Sequence, residues 1–451
     1  MGYNGAMFRV VFLTILLIVP TLANAQFLSP EERAKLEAEY SQLQREIAEW
    51  QKVLDETKVK KNSLQGDVTA LNAQIKQAEA QIRQKNLEIS RLGSQIKAKT
   101  ARISELSARV AQDLEALATM LRTRAEMDRQ PLVVLIFGST DLSEFFVEAD
   151  RLATLEKGLQ EKVQELKSVK SITEEERLIL SKKKDEVLDA KYVVETKKQQ
   201  VAKNEAEKSK LLSITKSQEQ EYQKVLAERQ RRAEQIRNAL FNLRDSAGIP
   251  FGTALDYATL ASQKTGVRTA LILAILSQES DLGKNVGSCY VTDLTSGTGV
   301  GKNTGRVFPN TMKSPRDTVP FERIIKSLGL AWATAPVSCP VGGGGYGGAM
   351  GPSQFIPSTW ELFAPRLRSA LSVFEPNPWD AKHAIMATAV YLSDLRADGQ
   401  TYSAERNAAC RYYSGRACDS RTPINYTYGN AVMQKAEKFQ NDIDFLKENA
   451  N

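Results

Sequence analysis

The residues best suited to chemistry lie in Leu271–Gly283, Leu-Ile-Leu-Ala-Ile-Leu-Ser-Gln-Glu-Ser-Asp-Leu-Gly. Six apolar residues in a row read as a helix buried on all sides, which puts Glu279 at the edge of a low-dielectric core. Desolvation there disfavours the carboxylate and raises the carboxyl pKa, and this suits a proton donor near neutral pH. The competing reading is a helix end that surfaces, with Glu279 an ordinary exposed acid. A single histidine in 451 residues argues against a histidine-rich metal site or a Ser-His-Asp triad over most of the chain. Neither a metal nor a cofactor is expected.

The length allows about two or three domains. With 61 Lys+Arg against 54 Asp+Glu the net charge is +7, which favours anionic partners without choosing among nucleic acid, a membrane surface and an acidic polymer. At the N-terminus, Arg9 precedes the apolar run Val10 to Val19, then Pro20 and Ala23-Asn24-Ala25. This is the layout of a signal peptide with a small-x-small cleavage site, so residues 1–25 are expected to be removed and the chain exported. The apolar run is short for a bilayer span of about 20 residues. Export means an oxidising environment, in which Cys289, Cys339, Cys410 and Cys418 read as two disulfides. Of the three pairings, Cys289–Cys339 and Cys410–Cys418 join the neighbours in sequence.

The elements that carry this domain begin with a long helical stretch, residues 26–244. From Leu36 to Leu121 the apolar residues keep a heptad, with Ile47, Leu54, Val68, Ile75, Ile82, Ile89, Ile96, Ile103 and Val110 in one column. Leu43, Trp50, Leu64, Leu71, Ala78, Leu92 and Leu106 fill the other, and Thr57, Lys61, Lys85, Lys99 and Asp113 interrupt the seam. No proline falls between Glu31 and Gln130, so a single helix of about 90 residues is allowed, roughly 135 Å long at 1.5 Å per residue. A compact apolar segment follows Pro131, and a second helical run extends from Leu152 to about Leu243 with only one good apolar column. Two runs around a central break imply an antiparallel hairpin with residues 131–150 at its tip, in preference to a parallel dimer.

Composition shifts at Asp245-Ser-Ala-Gly-Ile-Pro250, marking a globular domain of about 200 residues, 245–440. Tyr257–Lys264, Arg268–Gln278 and Pro320–Leu330 read as helices, and Gly287–Gly305 as a loop or short strands. Val341–Gly351 is a glycine-rich loop, Pro352–Trp360 leads into a helix, and Asp380 reads as the N-cap of the next one. Phe355, Trp360, Trp379 and His383 are expected to serve packing.

Three motifs in this order, Ala274-Ile-Leu-Ser-Gln-Glu-Ser-Asp-Leu-Gly283, Gly347-Gly-Ala-Met-Gly-Pro-Ser-Gln-Phe-Ile-Pro-Ser-Thr-Trp360 and Asn377-Pro-Trp-Asp-Ala-Lys-His-Ala-Ile385, resemble the lytic murein transglycosylases, the membrane-bound B family most of all. The resemblance implies a mainly α, lysozyme-like fold, with Glu279 as a lone catalytic acid that cleaves peptidoglycan glycan strands and leaves a 1,6-anhydro end. It places Ser280 and Gln354 beside that acid, with capping of local backbone as the competing role for Ser280. The later segment Arg411-Tyr412-Tyr413-Ser414-Gly415 and Tyr426-Thr-Tyr428 resembles the tyrosine-containing segment of the same enzymes, so Tyr412 and Tyr428 are expected either to line the saccharide groove or to pack in the core. Tyr346 and Met350 are expected at the substrate as well. Tyr413 departs from the family, where many members have asparagine. It implies no nucleic-acid partner. Ordinary glycoside hydrolases use a carboxylate pair, and Asp281, Glu361 and Asp380 are left open here as a second acid.

The helical half resembles, in its layout and in Leu-Val-Val-Leu-Ile-Phe-Gly-Ser139, the coiled-coil domains of bacterial division-associated murein hydrolases and their activators. That resemblance implies that the hairpin tip docks on a cell-division ABC-transporter-like membrane complex. The combined expectation is an exported lytic transglycosylase positioned or regulated by a coiled coil. A hydrolytic muramidase and an inactive division-complex regulator are the alternatives.

Overall fold

A computed structural model describes residues 30–57, 63–127, 142–213, 222–225, 227–228, 230–231, 248–340 and 345–448. The signal segment, residues 131–141 of the hairpin tip and the start of the globular domain at 245 lie outside the described residues. The chain is mainly α and divides into two compact units, 1–44 with 90–180, and 45–89 with 181–451.

Three long helices build the coiled coil: α1 (Pro30–Thr57), α2 (Leu64–Met127) and α3 (Leu142–Leu212). In the first unit, Lys99 pairs with Glu176 at 2.8 Å and Lys162 with Asp113 at 2.6 Å, and Arg109 bonds Glu165. Partner numbers fall on one helix as they rise on the other, so α2 and α3 run antiparallel. Two of the polar interruptions of the heptad, Lys99 and Asp113, are thus the sites of cross-helix ion pairs. A register shift would leave the buried Asp113 without its cation, which is how such pairs specify alignment.

The second unit shows where the helical pattern misleads. The heptad keeps its phase through residues 57–64 and permits one helix there, but Ser63 is not helical. Its Oγ accepts from Gly66 N at 3.1 Å and its carbonyl from Asp67 N at 2.9 Å, an N-cap that starts α2 afresh. Before that break α1 lies antiparallel to α2, with Arg83 on Glu46 at 2.8 Å and Gln77 on Gln51 at 2.9 Å. Asn204 to Gln74 and Lys208 to Asn72, both 2.9 Å, tie α3 to α2 in the same antiparallel sense. Heptad repetition reports that a face is covered, not which helix covers it. The second run is interrupted rather than continuous: α3 ends at Leu212, and residues 222–225, 227–228 and 230–231 are helical again, with Tyr222 packed on Leu71 and Leu211 and its hydroxyl donating to Asp67 at 3.0 Å.

The globular part of this unit is helical apart from one small sheet. Its elements are α4 (Phe251–Thr265), α5 (Thr269–Ser280), β1 (Cys289–Asp293), β2 (Thr298–Gly301), β3 (Val307–Phe308), α6 (Thr318–Ser327), α7 (Pro357–Leu371), α8 (Ala381–Asp394), α9 (Tyr402–Ser414) and α10 (Tyr426–Glu448). The strands form an antiparallel sheet in the order β1-β2-β3, with Cys289 opposite Gly301 and Val300 opposite Val307. Gly287–Gly305 therefore contains strands.

The centre of the core is α5. Ala270 to Leu276 are all fully buried, because α4, α8 and α10 surround a helix that is apolar on every face. Both disulfides join the sequence neighbours, Cys289–Cys339 and Cys410–Cys418. Asp380 caps α8 by accepting from His383 N at 3.0 Å, and His383 Nδ1 accepts from Asn377 N at 3.0 Å. Phe355 and Trp360 are buried in the core, and Trp379 Nε1 bonds the Pro336 carbonyl at 2.9 Å.

Candidate active site

Glu279 sits in the last turn of α5, where the fully buried run ends and Ser277, Gln278 and Glu279 are mostly but not completely buried. Asp281 then takes a left-handed conformation (φ 49°), the Leu282 N–H bonds Leu276 O at 3.2 Å, and the chain turns away. The carboxyl is thereby left at the rim of the core with little water around it. Burial pushes its pKa above the ordinary value, and the Tyr428 hydroxyl, donating to Oε1, offsets part of the rise. Tyr428 comes from the first turn of α10. Burial and then the Glu279 charge hold its own hydroxyl well above the usual tyrosine range, so it stays a donor at neutral pH.

The structure brings Tyr412 to the same place. Burial and then the Glu279 charge raise its pKa well above normal, and its hydroxyl donates to the Ser353 carbonyl at 2.8 Å. Tyr413, where the enzymes that the sequence resembles often carry asparagine, stacks on Tyr428 with centroids 4.9 Å apart and planes 13° apart. A tyrosine in that position supports the partner of Glu279 through ring contact, which an asparagine cannot do.

The glycine-rich motif packs under the carboxyl through Ser280. Its buried hydroxyl lies 2.7 Å from the Pro352 carbonyl and 3.2 Å from Leu276 O, and accepts from Gly283 N at 2.9 Å. Ser280 thus fastens the end of α5 to the segment that precedes Gln354. Ser353, also buried, donates to Ala384 O at 2.7 Å and accepts from Thr388 Oγ1 at 2.8 Å, anchoring the same segment to α8. Gly351 is held at φ +62°, where an added Cβ would lie 1.9 Å from the Pro378 carbonyl oxygen. Only glycine permits that approach. Gln354 follows in a left-handed conformation (φ 52°) and its Nε2 donates to Gly351 O at 2.8 Å.

The two other expected sugar contacts are placed differently. Met350 is buried in the core, pairing through its backbone with Val337 and Phe355. Tyr346 is 53% exposed, with Lys313 Nζ 5.8 Å from its ring centroid. Of the carboxylates left open as a second acid, exposed Asp281 pairs with Lys284 at 2.9 Å, Glu361 with Arg323 at 2.6 Å, and Asp380 caps α8. Among the described residues, no three His, Cys, Asp or Glu side chains gather where they could hold a metal ion.

Sequence reasoning did not find what sets Tyr428. Buried Asn425 donates through Nδ2 to Ser414 Oγ at 2.8 Å and Ala417 O at 3.0 Å, and accepts from Asp419 N at 2.7 Å, ordering the loop before α10. The Cys410–Cys418 disulfide lies against Gly429, where an added Cβ would meet Cys410 Sγ at 2.4 Å. A cysteine pair flanking a tyrosine-rich segment is the signal that could have pointed there.

No curated protein and no solved structure matched the chain. Residues 188–396, from within α3 to just beyond α8, match the family model of the Transglycosylase SLT domain, which supports a lytic transglycosylase acting on peptidoglycan.

Proposed function

We propose that the chain is an exported peptidoglycan lytic transglycosylase in which Glu279 acts first as acid and then as base. The observation that carries this is the Glu279 carboxyl at the core rim, raised in pKa by burial and hydrogen-bonded by Tyr428, while Asp281, Glu361 and Asp380 are engaged elsewhere. A protonated Glu279 gives its proton to the glycosidic oxygen between N-acetylmuramic acid and N-acetylglucosamine as that bond breaks. The carboxylate then takes the proton of the muramoyl 6-hydroxyl, whose oxygen attacks the anomeric carbon and closes a 1,6-anhydro ring. One group does both steps, so no second carboxylate is needed to activate water. Tyr428 holds the carboxyl in place, Tyr412 fastens the Ser353 carbonyl beside it, Gln354 offers its side-chain oxygen to the sugar, and Ser280 fixes the loop that presents Gln354.

The proposal includes export by cleavage after Ala25 and docking of the hairpin tip on a cell-division ABC-transporter-like membrane complex, both supported by the sequence pattern. Charged substitutions at Leu135 and Phe146 are expected to abolish pull-down of that complex while cleavage of isolated sacculi persists. The chemistry is tested by mass spectrometry of fragments released from sacculi. Anhydro ends, lighter by one water, agree with the proposal; reducing ends indicate a hydrolytic muramidase.

A further inference from the structure

The coiled coil touches the catalytic helices along one stripe. Asp185, Asp189 and Tyr192 stand at i, i+4 and i+7 of α3, a spacing that puts them on a single helix face. Each meets a partner on α9. The Asp189 carboxylate accepts from Ser403 N at 2.5 Å through Oδ1 and from Ser403 Oγ at 2.9 Å through Oδ2. Tyr192 stacks on Tyr402 with centroids 4.3 Å apart and planes 18° apart. Asp185 lies in the field of Arg411 and Arg406 and beside Asn407. Tyr192 and Tyr402 also share a cleft with Met433, Gln434 and Glu437 of α10.

The contact with Ser403 completes the cap of α9. Thr401 is that helix's own N-cap and accepts from Ala404 N at 3.2 Å. The Ser403 amide, one residue earlier, is another of the donors that a helix N-terminus leaves without an internal partner. The coil supplies its acceptor, and supplies it as an anion where the helix dipole favours negative charge. The opposite end of the same helix carries Tyr412, bonded to Ser353 O, and Tyr413, stacked on Tyr428. One rigid helix therefore connects the coil to the group that bonds Glu279.

We propose that the Asp185–Asp189–Tyr192 face of α3 is a positioning clamp: by holding the N-terminus of α9 it sets the Tyr413–Tyr428 stack and, through it, the carboxyl of Glu279. The clamp rests on the acid–base role proposed for Glu279. A force that displaces this part of α3 loosens α9 and withdraws the Tyr428 hydroxyl from the carboxyl. The coiled coil is then a control element for the reaction as well as a carrier. The charged and titratable groups around the clamp are Arg406, Arg411, Glu405, Glu437 and Arg268, and those around Glu279 are Tyr412 and Tyr428.

The test uses full-length protein with Asp189→Ala, Tyr192→Ala and Asp189→Asn. The last keeps one acceptor but not the charge. A carbon-13 NMR titration of the Glu279 carboxyl, assigned with Glu279→Gln, is recorded beside kcat and KM on sacculi. In the alanine variants the Glu279 midpoint moves up as the Tyr428 donor is lost. Their kcat falls about tenfold, within the range of coupling through packed elements, and KM is unchanged. Asp189→Asn falls between parent and Asp189→Ala, and takes its place if the alanine variant does not fold. Folded variants whose midpoint and kcat equal those of the parent overturn the clamp. If the parent cleaves no glycan, the titration still decides the clamp, and the enzymatic proposal alone fails.

Discussion

The Tyr428 hydroxyl donates to Glu279 Oε1, joining the first turn of α10 to the last turn of α5. This bond stabilises the charged form of a carboxyl that burial would otherwise hold neutral. Removing the donor in Tyr428→Phe, with the stacked ring retained, is expected to raise the Glu279 pKa further. The protonated acid then persists to higher pH, so the alkaline limb of the pH–rate profile moves up. At neutral pH kcat falls about tenfold or more, since the carboxylate is less well held as the base. A profile identical to wild type contradicts the role given to Tyr428.

The same burial has a consequence for stability. A carboxyl whose folded pKa is raised holds its proton more tightly in the native state than in the unfolded one. Below the ordinary value near 4.5 both states are protonated and nothing is lost. As pH rises above it, the unfolded chain ionises first and native stability falls until the folded pKa is passed. Glu279→Gln, which cannot ionise, is therefore expected to raise Tm at pH 7 and to leave it unchanged at pH 3. Equal Tm values for the two proteins at both pH values would falsify this account of the burial.

Gly351 tests the loop that presents Gln354. An alanine Cβ would be driven into the Pro378 carbonyl at a backbone angle unfavourable to any side chain. Gly351→Ala is expected to cost about 2 kcal/mol or more, combining backbone strain and overpacking, and to be read as a lower denaturant midpoint. Activity falls with it if the loop cannot re-form. A variant as stable as the parent would show that the close approach is unimportant.

The buried Glu405 carboxylate, 1% exposed, bonds Arg268 through both oxygens, and Arg268 also reaches Gln440 of α10 at 3.4 Å. Glu405→Ala strands the partly buried guanidinium and is expected to cost about 3 kcal/mol, measured by chemical denaturation. A loss below about 1 kcal/mol, the range of an exposed pair, would mean that water reaches the guanidinium.

Much of this arrangement is legible from the residues alone. The apolar run Leu271–Leu276 announces a buried helix, and the acid at its end follows from counting along it. Asp380 is readable as a cap because proline and the following apolar face fix where its helix starts. The break at Ser63 is harder, since the heptad continues in phase across it and only a local capping bond marks the new helix. Ser280 and Met350 show a different limit: a motif places residues near a site but does not say which side chains face it. Ser280 is engaged with backbone and Met350 with the core. Asp185 and Asp189 carry no signal in the sequence, because their partners lie more than two hundred residues away along the chain.

In the proposed reaction one carboxyl group, that of Glu279, performs both proton transfers. Muropeptides released from isolated sacculi by wild-type protein and by Glu279→Gln, compared by mass, test it most directly. Wild type is predicted to release fragments ending in 1,6-anhydro-N-acetylmuramic acid, and Glu279→Gln to release them at least about a hundredfold more slowly. Undiminished release by Glu279→Gln, or reducing ends from the wild type, would contradict it.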